Sequence, residues 1–142
     1  MNPIVRWGLA LLVVAGLVVD AWTHLDVAHL YRYNRTDTLN EAVLFRVEAV
    51  IALVSAALVL LRPNALTAAF AALVSGGGAA LLVLYRYVDI GKLGPIPNMH
   101  EPIWFREKVV SLIGELVAFV AALALIGAVA LTRRVTGSRV AV

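Results

Sequence analysis

The chain contains no cysteine. That excludes a disulfide framework, a thiol nucleophile, a thiolate metal site and the dithiol chemistry of four-helix membrane oxidoreductases. Charge is also scarce. Charged residues make up 15% of the 142 positions and hydrophobic ones 62%, a balance far from that of a domain whose surface must be solvated by water. The net charge of +3 does not gather into a basic stripe; the Lys and Arg residues are scattered between apolar stretches. The positive charge therefore reads as membrane topology, and no nucleic-acid partner is expected. No internal repeat or low-complexity segment is present, and neither HxxxH nor HExxH occurs.

What the sequence has is apolar length. A hydrocarbon core about 30 Å thick takes roughly 20 helical residues to cross, and four segments qualify: 4–22, 42–61, 65–85 and 109–132. Backbone groups in lipid must be hydrogen-bonded within their own segment, and runs rich in Ala, Leu and Val meet that need as helices, not as barrel strands. The expected fold is all-α, a transmembrane four-helix bundle forming a single integral membrane domain over 1–142 and contacting the lipid bilayer. The first span is longer than a signal-peptide core and lacks a following small-x-small cleavage site, so it reads as retained.

The connections are unequal. Arg62-Pro63-Asn64 is a minimal turn, with Pro63 stopping the second helix and Asn64 able to cap the third, which predicts a tight antiparallel hairpin. The long connections, 24–40 and 86–108, lie together at the opposite end. Thr38-Leu39-Asn40-Glu41 has capping-box spacing for the start of helix two. Gly91, Gly94, Pro95, Pro97 and Pro102 make the second loop irregular, with Pro102 expected in the first turn of helix four. In helix three, Ala68, Ala72, Gly76 and Ala80 form a small-xxx-small stripe suited to close helix approach, within the bundle or at a homodimer seam.

The two ends differ in charge. The end carrying both termini and the short turn has Arg6, Arg62, Arg133, Arg134 and Arg139 and no acid, a charge of +5. The other has all nine acids with seven basic residues, a charge of −2. Counted as Lys and Arg alone, the long-loop end has more, so the two readings of the positive-inside rule conflict. The Arg133-Arg134 pair beside a span, with no acid nearby, favours a multi-pass protein of the cell membrane with both termini cytoplasmic. Trp22, Trp104, Tyr31, Tyr33, Tyr85 and Tyr87 mark the outer interface and Trp7 the inner one.

Ionisable side chains within a span cost roughly 2.5–3.5 kcal/mol each at mid-bilayer on insertion scales, so they mark where chemistry can sit. Asp20, Arg46, Glu48 and Glu115 all fall in the long-loop third of their helices. Asp20 and His24 share a face of helix one, Glu41, Phe45 and Glu48 one of helix two, and Ser111, Glu115 and Ala118 one of helix four. Pointing inward, these stripes make a polar pocket beneath the loops from Asp20, His24, Arg46, Glu48, Glu115 and the loop residue His100. One reading is an ion-pair network in which Arg46 satisfies the acids. The other is a ligand, ion or metal site. Asp20, His24 and His100 are candidate metal ligands of types suited to copper or zinc, with bis-histidine haem a further option. His24 and His29, five apart, are poorly spaced for one helix face. Asn34-Arg35-Thr36 matches a glycosylation sequon.

Taken with Asp20-Ala21-Trp22-Thr23-His24-Leu25, Leu39-Asn40-Glu41-Ala42 and the loop Tyr85-Arg86-Tyr87-Val88-Asp89-Ile90-Gly91, Leu93-Gly94-Pro95-Ile96-Pro97-Asn98-Met99, Glu101-Pro102, the chain resembles a group of small four-span membrane proteins of high-GC Gram-positive bacteria. The likeness implies the architecture and carries no catalytic residue, since the group has no settled activity. Small multidrug exporters share only the size class, for they hold a carboxylate mid-membrane in helix one where residues 11–19 here are apolar. Membrane glutathione-transferase-like enzymes use an Arg-rich helix-two motif that Leu44-Phe45-Arg46-Val47-Glu48 does not reproduce. The leading expectation is a non-enzymatic accessory or ligand-binding protein, with no cofactor predicted and a membrane-protein partner or second copy as its company. The alternative is metal or ion handling, including proton-coupled transport through Glu48 or Glu115.

Overall fold

The computed structural model describes residues 1–140, with side chains through Thr132. Four helices make up the fold: α1 (Pro3–Val27), α2 (Glu41–Leu61), α3 (Ala65–Tyr87) and α4 (Arg106–Val140), with a 3-10 turn, Ala28–Tyr31, continuing α1. All four are long and apolar enough to cross a membrane. The Arg133-Arg134 pair and Arg139 lie outside the residues whose side chains are described.

Each helix buries one stripe in alternating steps of three and four residues: Ala10, Val13, Leu17 and Asp20 on α1; Ala49, Ala52, Ala56 and Val59 on α2; Ala68, Ala72, Ser75 and Ala79 on α3; and Ser111, Glu115, Ala118, Ala122 and Leu125 on α4. That spacing is the left-handed bundle pattern. The larger Leu, Ile and Val side chains, such as Leu11, Val50, Leu73 and Val120, face outward. Lipid offers no hydrophobic force to draw helices together, so a stripe of small residues serves by letting backbones approach within van der Waals range. The approach is closest between α1 and α4. A Cβ on Gly16 would run into the carbonyl oxygen of Gly114 and come within 2.8 Å of the Ala118 nitrogen, and one on Gly114 would lie 2.8 Å from the Gly16 oxygen.

The helices pack in a ring, α1 along α2 and α4 and α3 along α4, with the α2–α3 seam the least extensive. Arg62-Pro63-Asn64 does make the short turn. The Asn64 side chain accepts from the Leu66 and Thr67 amides at 2.8 and 3.1 Å, and Thr67 Oγ1 accepts from the Asn64 amide at 3.3 Å. Away from that turn the hairpin is looser than its short connection predicts. The buried stripe of α3 stops at Ala79 although the helix continues to Tyr87, and α2 buries nothing between Ala42 and Ala49.

Two boundaries differ from the sequence reading. Pro102 does not enter α4, which begins at Arg106; the segment before it runs non-helical beneath the loop. Asn40, not Thr38, caps α2, accepting from the Val43 amide at 2.9 Å. Thr36, in its turn, accepts from the Leu39 amide at 3.2 Å and donates to Pro95 O at 2.7 Å, so the two long loops are tied together. In the helix-three stripe Ala68 and Ala72 are buried and Gly76 meets the Phe119 ring, while Ala80 faces outward.

Candidate functional site

The α1–α4 contact at Gly16 and Gly114 brings Asp20, one turn above Gly16, against α4. Ser111 Oγ donates to Asp20 Oδ1 at 2.6 Å, and His24 Nδ1 lies 2.9 Å from the same oxygen. Thr23 Oγ1 donates to the Asp20 carbonyl at 2.8 Å. The His24 ring stands edge-on to Phe45, centroids 5.2 Å apart, and Phe45 in turn to Tyr31 at 4.9 Å. This fixes His24 between its carboxylate and an aromatic wall.

Glu115, one turn from Ser111, reaches across to α3. Its Oε1 lies where a Cβ on residue 78 would be, so only glycine leaves room for it there. Glu48 comes from α2, and carboxylate oxygens of Asp20, Glu48 and Glu115 all lie within 4.8 Å of one another. Asp20 and Glu115 are each 1% exposed, and Asp20 Oδ2 and Glu115 Oε2 have no hydrogen-bond partner among the described residues.

Glu48 and Glu115 close the bottom of a cavity of about 470 Å³ that runs toward the loops among the four helices, with Asp20 behind them. Its walls are chiefly hydrocarbon and aromatic, with Leu44, Phe45, Leu82, Tyr85 and Phe105 among them. Leu93, Ile96 and Met99 of the second loop cover it. Gly94, with φ +58°, makes the turn in which the Leu93 and Ile96 backbones bond one another at 2.9 and 3.1 Å; a Cβ is strained in that conformation. Asn34 Nδ2 donates to Glu41 Oε2 and to Asn98 O at 2.7 Å, fastening the cover to the start of α2. At the side, Val47 of α2 and Leu81 of α3 line the cavity and are also exposed on the outside of the bundle, so the loose seam forms an apolar rim.

Of the residues chosen from the sequence, Asp20, His24, Glu48 and Glu115 come together. Arg46 does not join them: it is exposed and makes no ion pair among the described residues, where one of the two readings of the sequence had it satisfying the acids. The cause is helical geometry. At about 100° per residue, the turn that points Phe45 and Glu48 inward carries Arg46 out. His100 is also elsewhere. Its Nδ1 is 2.8 Å from Tyr85 O and its amide donates to Asn98 Oδ1 at 3.0 Å, so it pins the cover to the end of α3. The candidate ligands that the structure gathers are thus three carboxylates with His24 beside them, a donor set that suits a hard cation better than copper, zinc or haem.

Gly78, Gly16 and Gly114 carry the site and were not chosen from the sequence as part of it. The signal is there in retrospect: Gly16 is four residues from Asp20, and Gly114 adjoins Glu115. A glycine beside an intramembrane carboxylate marks a close approach. At the loop end Arg86 lies over the Tyr87 and Trp104 rings, at 4.8 and 5.5 Å from their centroids, a cation–π stack outside the cavity lining.

Fold and site together define a small multi-pass membrane protein with a covered, acid-floored cavity at one end. Comparison with known protein families, with curated proteins and with solved structures returns no match.

Proposed function

We propose that the protein binds a small ligand in the cavity beneath its two long loops and acts by binding, as an accessory or carrier component of the membrane. The observation that supports this reading best is the cavity itself. It has the size and apolar lining typical of small-molecule sites, and convergent polar groups lie at one end of it. Leu82 lines the cavity, and a larger ring there intrudes on the space a ligand needs. Native mass spectrometry of the chain released from mild detergent should show a bound small molecule that Leu82→Trp no longer retains. Bare protein in both samples would count against the reading.

The loop end is assigned to the outer face, with the termini cytoplasmic, on the strength of the unbalanced arginines at the other end. The absence of native cysteine makes this directly measurable. A membrane-impermeant maleimide applied to intact cells should label Asp89→Cys and spare Arg62→Cys until the cells are broken. The reverse pattern inverts the orientation. A second reading, cation binding or transport by Asp20, Glu48 and Glu115, is favoured by the closeness of their oxygens.

A further inference from the structure

We propose that the ligand is an organic ammonium ion, an N–H-bearing cationic group on an apolar body, whose nitrogen sits at Glu115 and Glu48 with Asp20 behind them. The inference rests on the cavity being the binding site and names the chemistry it selects. Glu115 lines the cavity, is 1% exposed, and has Oε2 without a partner among the described residues. A cationic group seated beside the three clustered carboxyls favours their ionised form, and an ionised carboxylate is an acceptor only, so a cation that brings an N–H donor completes it. The Asp20 side chain shows the same need from the layer behind: Ser111 and His24 occupy Oδ1, and Oδ2 has none. The position of Glu115 is also built into the backbone, since Gly78 leaves the space its carboxylate occupies.

Charge along the cavity points the same way. Glu41, Glu48, Glu101, Glu107 and Glu115 line it, against Lys108 and the titratable His24. A cleft lined by one sign of charge with low-dielectric walls draws in the opposite sign. The remaining question is which cation. A bare metal ion occupies a small part of about 470 Å³, and a hard divalent ion seeks six or more oxygens, which walls of Leu44, Phe45, Leu82 and Phe105 do not supply. Those walls match a hydrocarbon or aromatic body, and the Phe45 and Tyr31 rings near the acids favour a cation over a neutral head. A quaternary ammonium has the charge but no N–H for the two orphan oxygens, so primary and secondary amines are the class selected.

The test uses the full chain in lipid nanodiscs and three probes of one shape: naphthylethylamine, its trimethylammonium derivative and naphthylethanol, titrated by calorimetry. The amine should bind at least about tenfold more tightly than the alcohol, the size of one charge-assisted hydrogen bond, with the trimethylammonium compound weaker than the amine. Glu115→Gln should bring the amine to the alcohol's affinity, and Glu48→Gln should weaken it in the same direction if the first variant fails to fold. Equal binding of amine and alcohol, lost together in Leu82→Trp, overturns the ammonium inference and leaves the cavity reading standing. No binding of any probe removes both. Uptake of one manganese ion per chain, abolished by Glu115→Gln and indifferent to the amine, overturns the inference in favour of a metal.

Discussion

Gly16→Val should prevent the four helices from assembling, and it is the most damaging single substitution that the structure predicts outside the cavity. The new side chain would begin against the carbonyl oxygen of Gly114 and 2.8 Å from the Ala118 nitrogen. Both are backbone atoms of α4, so no rotamer change relieves the contact and the helices must part. Overpacking a core costs typically 1–3 kcal/mol where side chains can adjust; here the cost should be at least about 3 kcal/mol, and α1 would also lose Ser111 as the donor to Asp20. Gly114→Val should behave alike, since its Cβ lies 2.8 Å from the Gly16 oxygen. Gly8 and Gly127, where a Cβ meets nothing within 4 Å, are the controls. Thermal unfolding in detergent reads the result: a melting temperature for Gly16→Val equal to that of Gly8→Val would mean that α1 and α4 do not meet there.

Gly78→Leu should leave the protein folded and remove its ligand. The Cβ at 78 collides with the flexible end of Glu115, which can swing aside, and the rest of the side chain enters the cavity. Losing a charge-assisted hydrogen bond of up to about 3 kcal/mol corresponds to a loss of about a hundredfold in affinity, before the lost volume is counted. The neighbouring glycines set the contrast. A Cβ on Gly77 meets nothing within 4 Å, so Gly77→Ala should stabilise α3 by up to about 1 kcal/mol with ligand binding unchanged. Gly76 faces the Phe119 ring, 2.8 Å from where its Cβ would be, and Gly76→Ala should cost stability with little effect on binding. Binding of naphthylethylamine and the melting temperature, measured together on the three variants, separate these outcomes; a Gly78→Leu protein that binds as the parent does would remove Glu115 from the site.

The spans and the inward stripes were legible because lipid leaves so few solutions. Apolar length dictates helices, and steps of three and four from Asp20, Glu48 and Glu115 dictate a shared interior. Even Arg46 was legible in principle, for the periodicity that turns Glu48 inward excludes Arg46 from the same face. The loops were not. Thr38 and Asn40 both had the residue type to cap α2, and the bond from the Thr36 hydroxyl to Pro95 O joins residues far apart in the chain. His100 could be chosen by residue type, but its attachment to Tyr85 O is set by how the second loop folds back on α3. The cavity was illegible for a third reason. It exists because α2 and α3 fail to pack at one end, and a missing contact leaves no pattern in the residues that do not touch.

The Pro63 turn gives that missing contact a mechanical sense. It joins α2 and α3 at the end away from the acids, and each arm of the hairpin is about 30 Å long. A change of ten degrees at the turn shifts the far ends by about 5 Å, roughly the width of a hydrocarbon chain, given an arm of that length. Val47 and Leu81 lie toward those far ends. The joint that sets the width of the loose seam therefore lies at the opposite end of the bundle from the seam itself.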